Sequence, residues 1–178
     1  MMLKILAISG SLRSSSSNTT ILRAMRELVP ADLQFSICEG IGDLPHFNPE
    51  LDRDLALAPV QAWRDRISKA DAVIFCTPEY AHGIPGVLKN ALDWIVSSGE
   101  FMYKPTAVIS ASPAPDGGAK ATASLMQTLA VMMADLVPSI CIPAVSAKLN
   151  DRGEITDPQT LQSLQSLLKS LVEIVNKS

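Results

Sequence analysis

The sequence predicts a three-layer, doubly wound α/β fold around a five-stranded parallel sheet, as a single domain over residues 1–178. Strand-like and helical segments alternate five times along the chain. The strand-like segments are nearly continuous apolar runs, as expected where helices cover both faces of a sheet. No linker or internal repeat interrupts the alternation. Right-handed crossovers and the length of the five βα units favour the strand order 2-1-3-4-5. That order puts a ligand crevice at the carboxyl ends of the strands, where strands 1 and 3 diverge.

Each element has its own signal. The run LKILAIS (Leu3–Ser9) is short, apolar and closed by Gly10, so it reads as a buried strand. From Ile21 the apolar positions Leu22, Met25, Leu28 and Val29 follow helical spacing, and Pro30 stops the helix. LQFSIC (Leu33–Cys38) alternates as a second strand. A Gly-, Pro-, Asn- and Asp-rich stretch from Glu39 to Pro59 reads as a long surface loop, of the kind that is often functional. A helix near Val60–Lys69 leads into DAVIFCTP (Asp71–Pro78), the most apolar strand. Pro85 opens the next helix, with Leu88, Ala91, Leu92, Ile95 and Val96 on one face. A fourth strand (Lys104–Ser112), a helix (Gly118–Leu136), a fifth strand (Val137–Val145) and a last helix (Asp157–Asn176) complete the expected order.

Composition narrows the function. A net charge of −3 leaves no broad electrostatic footprint for nucleic acid. The N-terminal apolar run is too short for a secretion signal or a membrane span. Cys38, Cys76 and Cys141 sit in or beside strand-like runs at spacings that match no metal motif, and an odd count suits a reducing compartment. These observations predict a cytoplasmic protein without membrane or nucleic-acid partners and without a metal.

Chemistry concentrates between the first strand and the first helix, in SGSLRSSSSNTT (Ser9–Thr20). A helix N-terminus there offers unpaired N–H groups and a partial positive charge, which suit an anion such as phosphate. Ser11, Ser16, Ser17, Asn18 and Thr19 can add hydrogen bonds, and Arg13 adds a planar charged fork. Gly10 is the only glycine before Gly40, so neither a dinucleotide-binding G-x-G-x-x-G nor a P-loop is present. The loop therefore suits a terminal phosphomonoester. Two further loops face the same crevice. TPEYAHGIPGVLKNALDW (Thr77–Trp94) follows strand 3, and its prolines and glycines let backbone approach a flat ligand. SASPAPDGGAK (Ser110–Lys120) follows strand 4 and has the same character.

These residues resemble the NADPH-dependent FMN reductases of the flavodoxin-like fold, a family that includes quinone, azo-dye and chromate reductases. GSLRSSSSN is similar to the family's G-S-x-R-x-x-S-x-N phosphate loop, with Ser11, Arg13, Ser16 and Asn18 in register. PEYAHGIPGVLKNALDW is similar to its P-E-Y-N-x-x-x-P-G-x-L-K-N-A-[IL]-D-W segment, and the third loop matches more loosely. Ala81 stands where the family usually has Asn. Pro113 and Pro115 stand where many relatives carry glycine.

The resemblance implies FMN as cofactor, with its phosphate held by Ser11, Arg13, Ser16, Ser17 and Asn18. It implies that the backbone of Pro78, Glu79, Tyr80 and Ala81 faces the flavin ring, and that Ser112 and Gly117 approach from the third loop. NADPH or NADH is then the hydride donor to flavin N5. A small molecule such as a quinone, flavin or azo compound is the acceptor, served in turn at one face with ping-pong kinetics. The resemblance also implies a homodimer or homotetramer. No side chain need act as acid or base, and His82 and His46 read as rim and surface residues. The alternative is a flavodoxin-type electron carrier without NAD(P)H activity, which the mild charge disfavours. A non-flavin module with another phosphorylated ligand is a third reading, which the P-E-Y segment disfavours.

Overall fold

The structure, a computed structural model, describes residues 2–52 and 57–177. Its central sheet runs in the order β2-β1-β3-β4-β5, and every pairing is parallel. The strands are β1 (Leu3–Ser9), β2 (Leu33–Cys38), β3 (Ala72–Thr77), β4 (Pro105–Ala111), β5 (Asp135–Leu136) and β6 (Ile140–Ile142). The helices are α1 (Ser17–Arg26), α2 (Ala58–Ser68), α3 (Gly86–Asp93), α4 (Ala119–Val131) and α5 (Pro158–Val175). No helix among the described residues is long and apolar enough to cross a membrane.

Strand periodicity divides the core. Ile5 and Ala7 of β1, Ile74 and Cys76 of β3, and Ala107 and Ile109 of β4 face α1 and α5, where Ile21, Leu22, Leu164 and Leu171 are fully buried. The alternate residues Leu6, Ile8, Val73, Phe75 and Val108 face α2, α3 and α4. Successive strand side chains point to opposite faces, so each central strand must be apolar throughout.

Three elements depart from the sequence expectation. The fifth strand, expected over Val137–Val145, is two short pieces that each pair with β4. Pro138 lies between them and has no N–H to give a ladder. The fourth helix stops at Val131 rather than at Leu136, and Met133 turns into the left-handed region at φ 59°. The third helix ends at Asp93, so Val96 leaves its expected buried face and is exposed, while Leu88, Ala91, Leu92 and Ile95 are buried.

The long loop after β2 is tied down at several points. The Phe47 N–H donates to Asn90 Oδ1 at 2.8 Å, and the Asn90 and Trp94 side chains donate to Pro45 O. Arg64 donates to Asp52 at 2.6 Å and to Trp94 O, both charged side chains being nearly buried. The loop's expected extent includes residues 53–56, which lie outside the described residues.

Candidate flavin-phosphate and ring crevice

The carboxyl ends of β1, β3 and β4 are adjacent, so the three loops that follow them meet. The first bends at Gly10, whose N–H still donates to Cys76 O at 2.9 Å. A Cβ at Gly10 would stand 2.6 Å from Thr77 Oγ1 and 3.0 Å from Leu88, so only glycine lets β1 and β3 approach there. Beyond it, Ser9 Oγ meets Thr19 Oγ1 at 2.8 Å, and Ser11 Oγ accepts from the Arg13 N–H.

Ser16 is the N-cap of α1. Its backbone is extended (φ −77°, ψ 121°) and its hydroxyl oxygen accepts from the Thr19 N–H. The amides of Ser17 and Asn18 precede the first intrahelical hydrogen bonds and open toward the loop. The exposed Arg13 guanidinium pairs with no carboxylate among the described residues. A fixed cation, two open amides and the hydroxyls of Ser11 and Ser17 are a donor set for a phosphate.

Asn18 has a different environment from its neighbours. It is 3% exposed. Its Nδ2 donates to Ala111 O at 3.0 Å, and its Oδ1 accepts from the Ala111 N–H at 3.1 Å and from the Cys76 thiol at 3.2 Å. The register of β3 on β4 ends at Thr77–Ser110, and the Asn18 carboxamide satisfies the next backbone pair of β4. Its side chain therefore pins α1 to the sheet, and its backbone amide is the part that opens to the loop. Burial pushes the Cys76 thiol well above its usual pKa, which keeps it a neutral donor to Asn18.

The second loop makes a tight reversal. The Tyr80 N–H donates to Gly83 O at 2.9 Å, and the Gly83 N–H returns to Tyr80 O at 3.0 Å. Ala81 (φ 50°) and His82 (φ 62°) are both left-handed, the signature of a type I′ turn. Asn and Gly suit those positions. The family's usual Asn at the Ala81 position thus has a backbone rationale, and Ala81 adopts the same turn at a cost. Tyr80 projects at the tip, 48% exposed.

Glu79 joins the second loop to the third. Its Oε2 accepts from the N–H groups of Lys120 and Ala121 at 3.0 and 3.1 Å, capping α4, whose own N-cap is Gly118. Its Oε1 lies 3.2 Å from His82 Nδ1. The Ala121 amide foremost, then His82 and the Lys120 amide, hold the Glu79 carboxyl below the ordinary carboxylate range against a partial desolvation penalty. Glu79 is thus a loop carboxylate bound to neighbouring amides.

In the third loop, Ser112 Oγ accepts from the Ala114 N–H, and the Ser112 N–H donates to Ile142 O. Gly117 is left-handed (φ 64°), and a Cβ there would stand 2.9 Å from the Ile142 backbone. Its carbonyl accepts from Ser110 Oγ at 2.7 Å, and Thr122 Oγ1 donates to the same Ser110 hydroxyl. The sequence reasoning did not find Lys120, whose ammonium reaches back across the loops to His82. The available signal was that Lys120 is the only basic residue in the third-loop segment. His46 and His82 are exposed, as expected, and Lys89 and Asp93 pair along one helix.

The sheet order, with a donor-lined first turn at the switch point, defines a flavodoxin-like α/β domain. The family model for NADPH-dependent FMN reductase matches residues 3–147. The chain belongs to that family, whose members are oxidoreductases using FMN with NAD(P)H as electron donor. It is 38% identical over 163 residues to a quinone reductase of Pseudomonas putida, covering 86% of this chain and 84% of that protein. It is 34% identical over 174 residues to an NAD(P)H-dependent FMN reductase of Pseudomonas aeruginosa, covering 95% and 93%. Among solved structures it superposes on FerB, a flavoenzyme NAD(P)H:(acceptor) oxidoreductase of Paracoccus denitrificans, with a TM-score of 0.88 and 33% identity, covering 98% of each chain.

Proposed function

We propose that this protein takes a hydride from NADPH or NADH and passes it, through FMN, to a small acceptor of the quinone class in a ping-pong sequence. The observation that carries the reading is the donor set at the β1–α1 junction, with the tight turn of Tyr80–Gly83 directly across the switch point. The residues fit the group. Arg13, the hydroxyls of Ser11 and Ser17 and the amides of Ser17 and Asn18 would hold the phosphate, with Ser16 capping the helix that presents them. The backbone of Pro78, Glu79, Tyr80 and Ala81 would line the ring, and Ser112 and Gly117 would close the third side. FMN bound there supplies hydride acceptance and release, chemistry that no side chain of the crevice provides.

The chain's own part is to orient and enclose. Glu79 fixes the spacing of the second and third loops by capping α4. Gly10 and Gly117 let backbone approach closely where side chains would clash. The relatives named quinone reductase support the acceptor class. The same reading has the protein act in the cytoplasm as a homodimer or homotetramer. Exposed Val96, Met102, Tyr103, Val131 and Met133 supply apolar surface for such an assembly. Initial rates with NADPH and a benzoquinone varied together test the sequence of events: parallel double-reciprocal lines are expected, and lines that intersect would rule out ping-pong transfer.

A further inference from the structure

The mouth of the crevice carries a cation that the reading above leaves without a task. The loops after β1, β3 and β4, with the first turn of α4, contain two basic residues, Arg13 and Lys120. Arg13 belongs to the phosphate loop. Lys120 is exposed, and its Nζ lies 3.1 Å from His82 Nδ1 and 3.4 Å from Nε2. No carboxylate among the described residues forms an ion pair with it. The nearby Glu79 carboxylate is spent on the amides of Lys120 and Ala121 and on His82.

The ammonium is held in place from both sides. Glu79 ties the Lys120 backbone to the second loop, and the His82 ring, across the crevice mouth, meets the ammonium itself. The result is a positioned, solvent-facing, unpaired positive charge that spans two of the loops framing the ring site.

A nicotinamide dinucleotide carries its own phosphates and is strongly anionic. The protein is itself negative, at −3. Long-range attraction does not bring the two together, so a local cation must. We propose that Lys120 is a donor-recognition residue that receives a phosphate of the nicotinamide dinucleotide, with His82 as the residue that positions it. The inference rests on the proposed flavin reading of the crevice, and it adds the place where the donor's phosphate end docks.

The test compares the FMN-loaded wild type with Lys120→Gln, Lys120→Arg and a distant charge control, Lys169→Gln, at saturating quinone. In Lys120→Gln, KM for the donor should rise about tenfold, the size of one charge-assisted contact, with kcat and FMN affinity within about twofold of wild type. Lys120→Arg should restore most of the loss, and Lys169→Gln should leave KM unchanged. A rise for NADPH alone identifies the 2′-phosphate as the group received. An equal rise for NADPH and NADH identifies the pyrophosphate. Unchanged KM for both donors in Lys120→Gln, or an equal rise in Lys169→Gln, would overturn the proposal while leaving the flavin reading intact. A wild-type protein that NADPH cannot reduce would overturn that reading, and the proposal with it.

Discussion

Truncation of Asn18 to alanine separates two roles that one residue could have at a phosphate loop. As a phosphate ligand, Asn18 would contribute to FMN affinity alone. As placed here, its carboxamide closes the backbone pair of Ala111 and accepts from the Cys76 thiol in a fully enclosed setting. Asn18→Ala leaves the N–H and C=O of Ala111 unpaired, each costing about 1–3 kcal/mol when buried. Two such groups amount to about 2 kcal/mol at the modest end, or a fall in Tm of about 4–8 °C for a chain of this size. The assay is thermal and urea unfolding of the FMN-free protein, followed by titration with FMN and with riboflavin. The structure predicts a large loss of stability without ligand, and weaker binding of both flavins, because α1 and the end of β4 lose their common anchor. An unchanged Tm with a loss confined to FMN would show that Asn18 acts on the phosphate, and would refute the assignment.

Other perturbations have equally definite outcomes. Arg13→Ala removes an exposed, unpaired guanidinium, so Tm should hold while FMN affinity falls about 10- to 100-fold and riboflavin affinity does not change; isothermal titration measures both. Ala81→Asn puts a residue tolerant of positive φ into the type I′ turn and should stabilise the protein by about 0.5–1 kcal/mol in urea unfolding. The hydrogen bonds from Ser97 and Arg64, with the Arg64 charge, outweigh burial and hold the Asp52 carboxyl below its usual range. A depressed folded-state pKa gives stability that is present above the unfolded-state value, near 4, and is lost as pH falls through the folded-state value. Unfolding free energies below about pH 4 should therefore drop less steeply in Asp52→Asn than in the wild type.

Local pattern and long-range contact divide what the sequence could reveal. The parallel sheet was legible because β1, β3 and β4 are nearly continuous apolar runs, as a sheet covered on both faces requires, and five βα units at this length favoured its order. The break between β5 and β6 was marked by Pro138, but a continuous apolar run concealed it. The early end of α4 had no local signal, since Val131, Met132 and Met133 continue a helical pattern and the chain turns at Met133 without glycine. At the site, the hydroxyl loop and the second loop were readable as chemistry. The division of labour within them was not. Asn18 looks like any other polar loop residue until its 93-residue reach to Ala111 is seen. Glu79 and Lys120 likewise gain their roles from partners 41 and 38 residues away, which no spacing rule connects.

The central claim is tested most directly by the visible spectrum of the FMN-reconstituted, desalted protein before and after anaerobic addition of NADPH. A retained flavin band that bleaches promptly, and returns on addition of a quinone, is the predicted result. A retained band that NADPH leaves unchanged would contradict the proposed hydride transfer. A protein that retains no flavin would contradict the assignment of the β1–α1 loop to the FMN phosphate.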